Sequence, residues 1–117
     1  MEERQKMKSE QLVQTEIRAE LSKNKHIVFR GNVGKVQTIE GRWFDTGLPK
    51  GFPDLFGFRG TDKKIFFIEV KNKSGRPRKV QIQFHEFLEK QNVIHGIARS
   101  AEEAITIVEN GLIGHGF

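Results

Sequence analysis

The sequence predicts an α/β fold in which helices cover both faces of a central sheet, in the order helix, three or four strands, helix, strand, helix. Two observations carry this reading. The segments "PDLFGFRG" and "IFFIEVKN" read as neighbouring strands, and the second is apolar on both of its alternating faces, as expected of a strand buried on both sides. Segments of helical periodicity stand before and after this strand block.

Each element follows from its residues. A first helix is expected over roughly residues 3–23, because Val13, Ile17 and Leu21 recur at helical spacing. "KNK" ends that pattern, and "HIVFR" from His26 is rich in β-branched and aromatic residues, as strands are. The glycine-rich stretch "GNVGKVQTIEGRWFDTGLPKG" is compatible with a ragged hairpin or a long loop. "TDKK" turns the chain between the two central strands, and "KSGRP" turns it again, with Pro77 suited to a first helical turn. A second helix over 78–91 places Val80, Phe84, Phe87, Leu88 and Gln91 along one side. "VIHGIAR" is a further strand. Ser100 and Glu103 have capping-box spacing, and Gly111 is placed to end the last helix near Asn110. The closing "GHGF" is expected to fray. Phe66, Ile68, Val70, Phe84 and Leu88 read as core.

The 117 residues fit one domain, 1–117, without repeats or linkers. The charged N-terminal segment is unlike a secretory signal, and no apolar run reaches the ~20 residues of a membrane helix. The absence of cysteine excludes disulfides and thiolate metal sites, and a cytoplasmic location is expected. The net charge is +5, but residues 26–99 carry fourteen Lys/Arg against seven Asp/Glu, whereas residues 100–117 carry none against three. A basic middle favours a polyanion such as nucleic acid; a basic surface without a partner is the plainer alternative.

The charges inside the strands carry the chemistry. In "IFFIEVK", Ile65, Phe67, Glu69 and Lys71 share one face and Phe66, Ile68 and Val70 the other. A buried Glu–Lys pair contributes little to stability, because desolvation offsets the attraction. Asp54 begins the preceding strand, so antiparallel pairing brings it beside Glu69. Two adjacent carboxylates repel, and a divalent cation relieves the repulsion. Oxygen ligands suit Mg²⁺, and a lysine nearby can stabilise charge on a phosphate or orient water. These are the parts needed for metal-assisted phosphodiester hydrolysis.

The spacing P-D-x14-E-x-K resembles the PD-(D/E)xK nuclease superfamily. "GFPDLFGF", "FFIEVKNKSGR" and "QIQFHEFLEK", in that order, resemble its virus-type replication-repair nuclease (VRR-NUC) family. Gln81 and Phe84, followed by His85 and Glu86, match a Q-x-x-aromatic pattern opening the next helix. Glu10, Val13, Gln14 and Ile17 match an E-x-x-apolar-Q-x-x-apolar pattern on the first. "FR" at Phe29–Arg30 and "ARSAEEA" also look alike. The likeness runs from Ser9 to about Asn110 and is poorest over 32–47. It implies a restriction-endonuclease-like core with a mixed central sheet, α-β-β-β-α-β-α, and metal-dependent cleavage of branched or flapped DNA. It further implies a standalone, phage-type member, acting in the host cell cytoplasm if phage-encoded, and a homodimeric Holliday-junction resolvase as in some short members.

The site expected on these grounds has Asp54, Glu69 and the Val70 backbone carbonyl as ligands of Mg²⁺, with Mn²⁺ able to substitute. Lys71 would position water or stabilise the transition state. Of the glutamates on the first helix, Glu10 lies with Gln14 on the apolar, inward stripe at about 100° per residue; Glu16 points outward and Glu20 sits at the edge. Glu10 is therefore expected to reach the cation through water or a second ion. Gln81 and Gln83 flank the second helix's stripe equally; the resemblance selects Gln81, to orient water or Lys71. Lys50, Lys73, Arg76, Arg78 and Lys79 flank these residues in sequence and are expected to contact phosphates. Trp43 and Phe44 could wedge a base step, but partial burial is the preferred expectation. His26, His85, His95 and His115 lack metal-ligand spacing and read as structural or exposed. Gly51 is expected to relieve crowding before Pro53–Asp54. Rival readings are a flap-type nuclease, a non-catalytic nucleic-acid-binding module of the same fold, a sequence-specific restriction enzyme and a protein-interaction domain.

Overall fold

The computed structural model describes residues 7–31 and 33–117. The elements run α1 (Glu10–Lys23), β1 (Ile27–Arg30), β2 (Lys35–Gln37), β3 (Trp43–Asp45), β4 (Leu55–Phe58), β5 (Ile65–Val70), α2 (Lys79–Lys90), β6 (Ile94–Ala98), α3 (Ala101–Asn110) and β7 (Ile113–His115). Five strands form a mixed sheet in the order β1-β4-β5-β6-β7; β2 and β3 form a separate antiparallel hairpin. Pairing is antiparallel from β1 through β5 and parallel from β5 through β7. This is a restriction-endonuclease-like arrangement; the glycine-rich stretch takes the hairpin alternative, and β7 is one strand more than the sequence suggested.

Helix α1 starts at Glu10, later than expected, because the Ser9 side chain accepts a hydrogen bond from the Leu12 N–H and caps the first turn. Residues 7–9 precede the helix, and the rest of the expected extension, 3–6, lies outside the described residues. Val13, Ile17 and Leu21 face inward. Helix α3 begins at its Ser100 cap and ends at Gly111, whose left-handed φ of 62° suits glycine. Together α1 and α3 cover one sheet face. The core there joins Val13, Ile17 and Leu21 to Leu55, Phe66, Ile68, Val70, Ile94, Ala98, Ala104, Ile107 and Val108.

The other face differs. Helix α2 buries Gln81, His85 and Leu88, so of the expected apolar stripe only Leu88 is buried. Phe84 is only half-buried and Phe87 is exposed. The helix is turned by about one residue, ~100°, from the orientation its hydrophobicity suggests. The reason lies beneath it: β5 and β6 present Glu69 and His95 on this side, and both are buried. Buried polar groups need hydrogen-bond partners, and Gln81 and His85 supply them. Phe84 instead joins an aromatic cluster with Phe52 (5.4 Å) and Phe87 (5.7 Å), and Phe52 continues it to Phe56 and Phe67. Pro77 falls before the helix, whose cap residue is Arg78.

The C-terminus is the second correction. Residues expected to fray form β7 beside β6, His115 bonds to Glu103 at 2.8 Å, and the Phe117 ring stacks on His85 at 4.1 Å. Trp43 and Phe44 are the third. They lie on the hairpin's second strand and are exposed, not half-buried.

Candidate active site

Strand pairing builds the centre of the site. Leu55 pairs with Ile68 and both enter the core, so the next pair along, Asp54 and Glu69, faces the opposite side. Asp54 Oδ2 accepts the Val70 N–H at 2.8 Å, which locks its side chain across the strand boundary. Glu69 is fully buried, and its Oε1 accepts from Gln81 Nε2 at 2.9 Å. Gln81 is fixed in turn, because its Oε1 accepts the Arg78 N–H at 2.8 Å at the start of α2. The side-chain partner Gln81 holds is thus Glu69, whereas the resemblance implied a role toward water or Lys71. Gln83 is exposed.

The loop before Asp54 is set by Gly51. Its φ is +82°, and a Cβ there would sit 2.1 Å from the Val80 carbonyl oxygen. Only glycine lets this loop lie against the first turn of α2.

Lys71, just after β5, is buried at 6% exposure, and its charge acts on Glu69. Its Nζ lies 3.8 Å from Glu10 Oε1. Glu10 is about half-exposed, so this contact is weak as an ion pair. Glu16 pairs with Lys8 at 2.9 Å and Glu20 meets Asn24, so neither reaches Lys71. The turn after Lys71 is clamped by Arg99, whose Nη1 donates to the carbonyls of Asn72 and Gly75, each at 2.6 Å. Gly75 lies close to both Lys71 and Glu10; a Cβ there would come within 3.0 Å of Glu10 Oε2.

Burial, chiefly, together with the hydrogen bond and charge of Asp54, pushes the Glu69 carboxyl up to about 10; the charges of Lys71 and Arg78 oppose this. A buried carboxylate pair of this kind calls for a shared proton or a cation. The residues fit a cation. Glu69 Oε2 is buried without a hydrogen-bond partner, next to the half-buried Asp54 carboxylate. Among the described residues, no three His, Cys, Asp or Glu side chains cluster as a metal-binding group. A cation here would rest on two carboxylates, a backbone carbonyl and water, the hard and sparse donor set that suits Mg²⁺.

A cleft of about 240 Å³ opens over Asp54, lined by Gln14, Arg30, Gly51, Asp54, Arg78 and Gln81. Two guanidinium groups, of Arg30 and Arg78, line it. Of the basic residues expected near the site, only Arg78 lines this cleft. Lys50 lies on another surface beside Val80 and Phe84, and Arg76 borders a separate cavity beside His85 and His95. Lys73 and Lys79 are exposed. The sequence marks Arg30 only through the "FR" likeness.

His85, expected to be structural or exposed, is buried, and its Nε2 lies 3.4 Å from Glu69 Oε2. The one signal in the sequence is its position four residues after Gln81, one helical turn along the same side. His26 is also buried, but its contacts lie elsewhere: its Nδ1 accepts the Gly60 N–H and its Nε2 meets Glu109.

A mixed sheet that carries Asp, Glu and Lys on one face at the ends of two adjacent strands has the frame of the PD-(D/E)xK nucleases. A family model of the VRR-NUC domain matches residues 8–102. The chain belongs to the VRR-NUC family, and its class is that of nucleases acting on DNA. No curated protein gives a significant match.

Proposed function

We propose that the protein is a metal-dependent, structure-specific endonuclease that hydrolyses phosphodiester bonds in branched DNA, as a Holliday-junction resolvase working in a homodimer. The observation that carries the catalytic part is the closeness of Asp54, just before β4, to the end of β5, where its Oδ2 accepts the Val70 N–H and its charge acts on the buried Glu69, with the buried Lys71 acting on the same carboxyl. Asp54, Glu69 and the Val70 carbonyl would hold Mg²⁺, or Mn²⁺ in its place. The cation would supply charge neutralisation at the phosphate and a more acidic water. Asp54 is held by the Val70 N–H and Glu69 by Gln81, so both carboxylates are set before DNA arrives. Arg30 and Arg78 receive the phosphate in the cleft. Lys71, shielded from bulk water, donates to the attacking water or to the developing charge on the phosphate, where a low-dielectric setting strengthens its effect. Glu10 lies beside Lys71 and would orient that ammonium and help hold the cation through water.

Glu10→Gln is expected to slow cleavage by ~10²-fold, the typical contribution of a positioned proton-handling group. Glu16→Gln, altered on the outer side of α1, should stay near wild type. Initial rates on a labelled junction measure both; the reverse order would contradict the assignment of Glu10.

The dimer proposal rests on chemistry and surface. One set of carboxylates makes one cut, and resolving a four-way junction takes two symmetric cuts, which a two-fold dimer provides. Of the two apolar segments that could pair, the C-terminal one pairs with β6 within the chain but leaves Ile113 and Phe117 partly exposed, while Trp43 and Phe44 on the hairpin are the more exposed candidate surface. Light scattering at tens of micromolar, with nick mapping on a four-way junction, is the test. A dimeric mass and paired nicks are expected; a monomer that makes single nicks and cuts flaps efficiently would favour the flap-type nuclease.

A further inference from the structure

Behind Glu69 lies a buried chain of two imidazoles. His85 Nδ1 and His95 Nδ1 are 2.9 Å apart, and both rings are 1% exposed. The outer nitrogens, His85 Nε2 and His95 Nε2, have no hydrogen-bond partner, and neither does Glu69 Oε2, 3.4 Å from His85 Nε2. Phe117 stacks on His85 and fixes the plane of its ring.

A neutral imidazole has one donor and one acceptor nitrogen. Two imidazoles buried at 1% exposure and joined through their Nδ1 atoms cannot both be charged, since one nitrogen must accept, and burial disfavours charge on either ring. Two neutral rings joined through their Nδ1 atoms admit only two arrangements. In one, His85 donates from Nδ1 and turns a bare Nε2 lone pair toward Glu69, which repels an ionised carboxylate. In the other, His95 Nδ1–H donates to His85, and the His85 proton sits on Nε2, facing Glu69 Oε2. The second arrangement alone matches an ionised Glu69. The 3.4 Å gap is longer than a good hydrogen bond. Such contacts are often long before a site is loaded and tighten afterwards.

We propose that His85 is a positioning residue that donates Nε2–H to Glu69 Oε2, and that His95 acts through it by fixing its tautomer. Gln81 holds one oxygen of the Glu69 carboxylate and His85 steadies the other, and the remaining lone pairs would be free to hold the cation. The inference rests on the reading of Glu69 as a metal-holding carboxylate.

The test uses the whole chain with Mg²⁺ alone. In ¹⁵N-histidine-labelled wild-type protein with saturating Mg²⁺, long-range ¹H–¹⁵N spectra should show His85 protonated at Nε2 and His95 at Nδ1. Calorimetric titration should then show His85→Leu binding Mg²⁺ about tenfold more weakly or worse, the usual effect of losing a partner of a metal ligand. His85→Gln, which keeps a donor at the Nε2 position, should fall within about threefold of wild type. An Nδ1-protonated His85 in the loaded protein overturns the proposal, as does unchanged Mg²⁺ affinity in His85→Leu. A wild-type chain that binds no Mg²⁺ contradicts the metal reading itself, a different outcome from wild-type binding that is insensitive to His85. If His85→Leu fails to fold, the tautomers of the wild-type protein still decide.

Discussion

Asp54→Asn is expected to abolish DNA cleavage, by ~10³-fold or more, while leaving junction binding within a few-fold of wild type. The loss is large because removing one member of a set that acts as a unit forfeits most of what the set does. The fold should survive. The substituted amide keeps an oxygen able to accept the Val70 N–H now held by Asp54 Oδ2, so the end of β4 stays tied to β5. Binding should survive because, on the proposed reading, Arg30, Arg78 and the surrounding basic surface would supply most of the affinity through phosphate contacts. Removing a negative charge from the floor of the cleft can even tighten binding in EDTA. Gel shift and cleavage on the same labelled junction separate the two effects. Full nicking by Asp54→Asn would remove Asp54 from the site.

Glu69→Gln is expected to be equally inactive and, without divalent cations, more stable than wild type. Burial, with Asp54 second, raises the Glu69 carboxyl from 4.5 to about 10. Between those values the folded chain holds a proton that the unfolded chain has released. The stability tied to Glu69 is therefore fully present below 4.5 and declines as pH rises toward 10. The neutral amide of the variant carries no such penalty and keeps an oxygen for Gln81 Nε2. In EDTA, the Tm of Glu69→Gln should exceed wild type by about 4 °C or more at pH 8, with the gap narrowing toward pH 5. Mg²⁺ should raise the wild-type Tm and leave that of the variant unmoved, since only a folded state that binds the ion is stabilised by it. Equal melting at both pH values would show that Glu69 carries no desolvation penalty.

The parts of the site set by local geometry were legible in the sequence. Alternation along "IFFIEVK" put Glu69 and Lys71 on one face, and antiparallel pairing put Asp54 beside Glu69. The phase of α1 turned Glu10 toward Lys71 and Glu16 away from it. The parts set by tertiary context were not. Hydrophobic periodicity placed Leu88 inward correctly but missed Gln81 and His85, which α2 buries over a polar seam in place of Val80, Phe84 and Phe87. Strand β7 is three residues long and contains a glycine, so only its pairing with β6 defines it. His85 and His95 are ten residues apart on a helix and a strand and meet only in the folded chain. Proximity in sequence also overstated the basic cluster, since Arg78 enters the cleft while Arg76 borders a different cavity, beside His85 and His95.

Whether Asp54, Glu69 and Lys71 cut DNA with a divalent cation is measured most directly on the purified wild-type chain. It is incubated with end-labelled four-way junction, flap and linear duplex, in Mg²⁺, in Mn²⁺ and in EDTA. Cleavage of branched DNA is expected in either cation, with little cleavage of the linear duplex and none in EDTA. Junction binding without cleavage in any cation would contradict the catalytic assignment and identify a non-catalytic nucleic-acid-binding module on a nuclease fold.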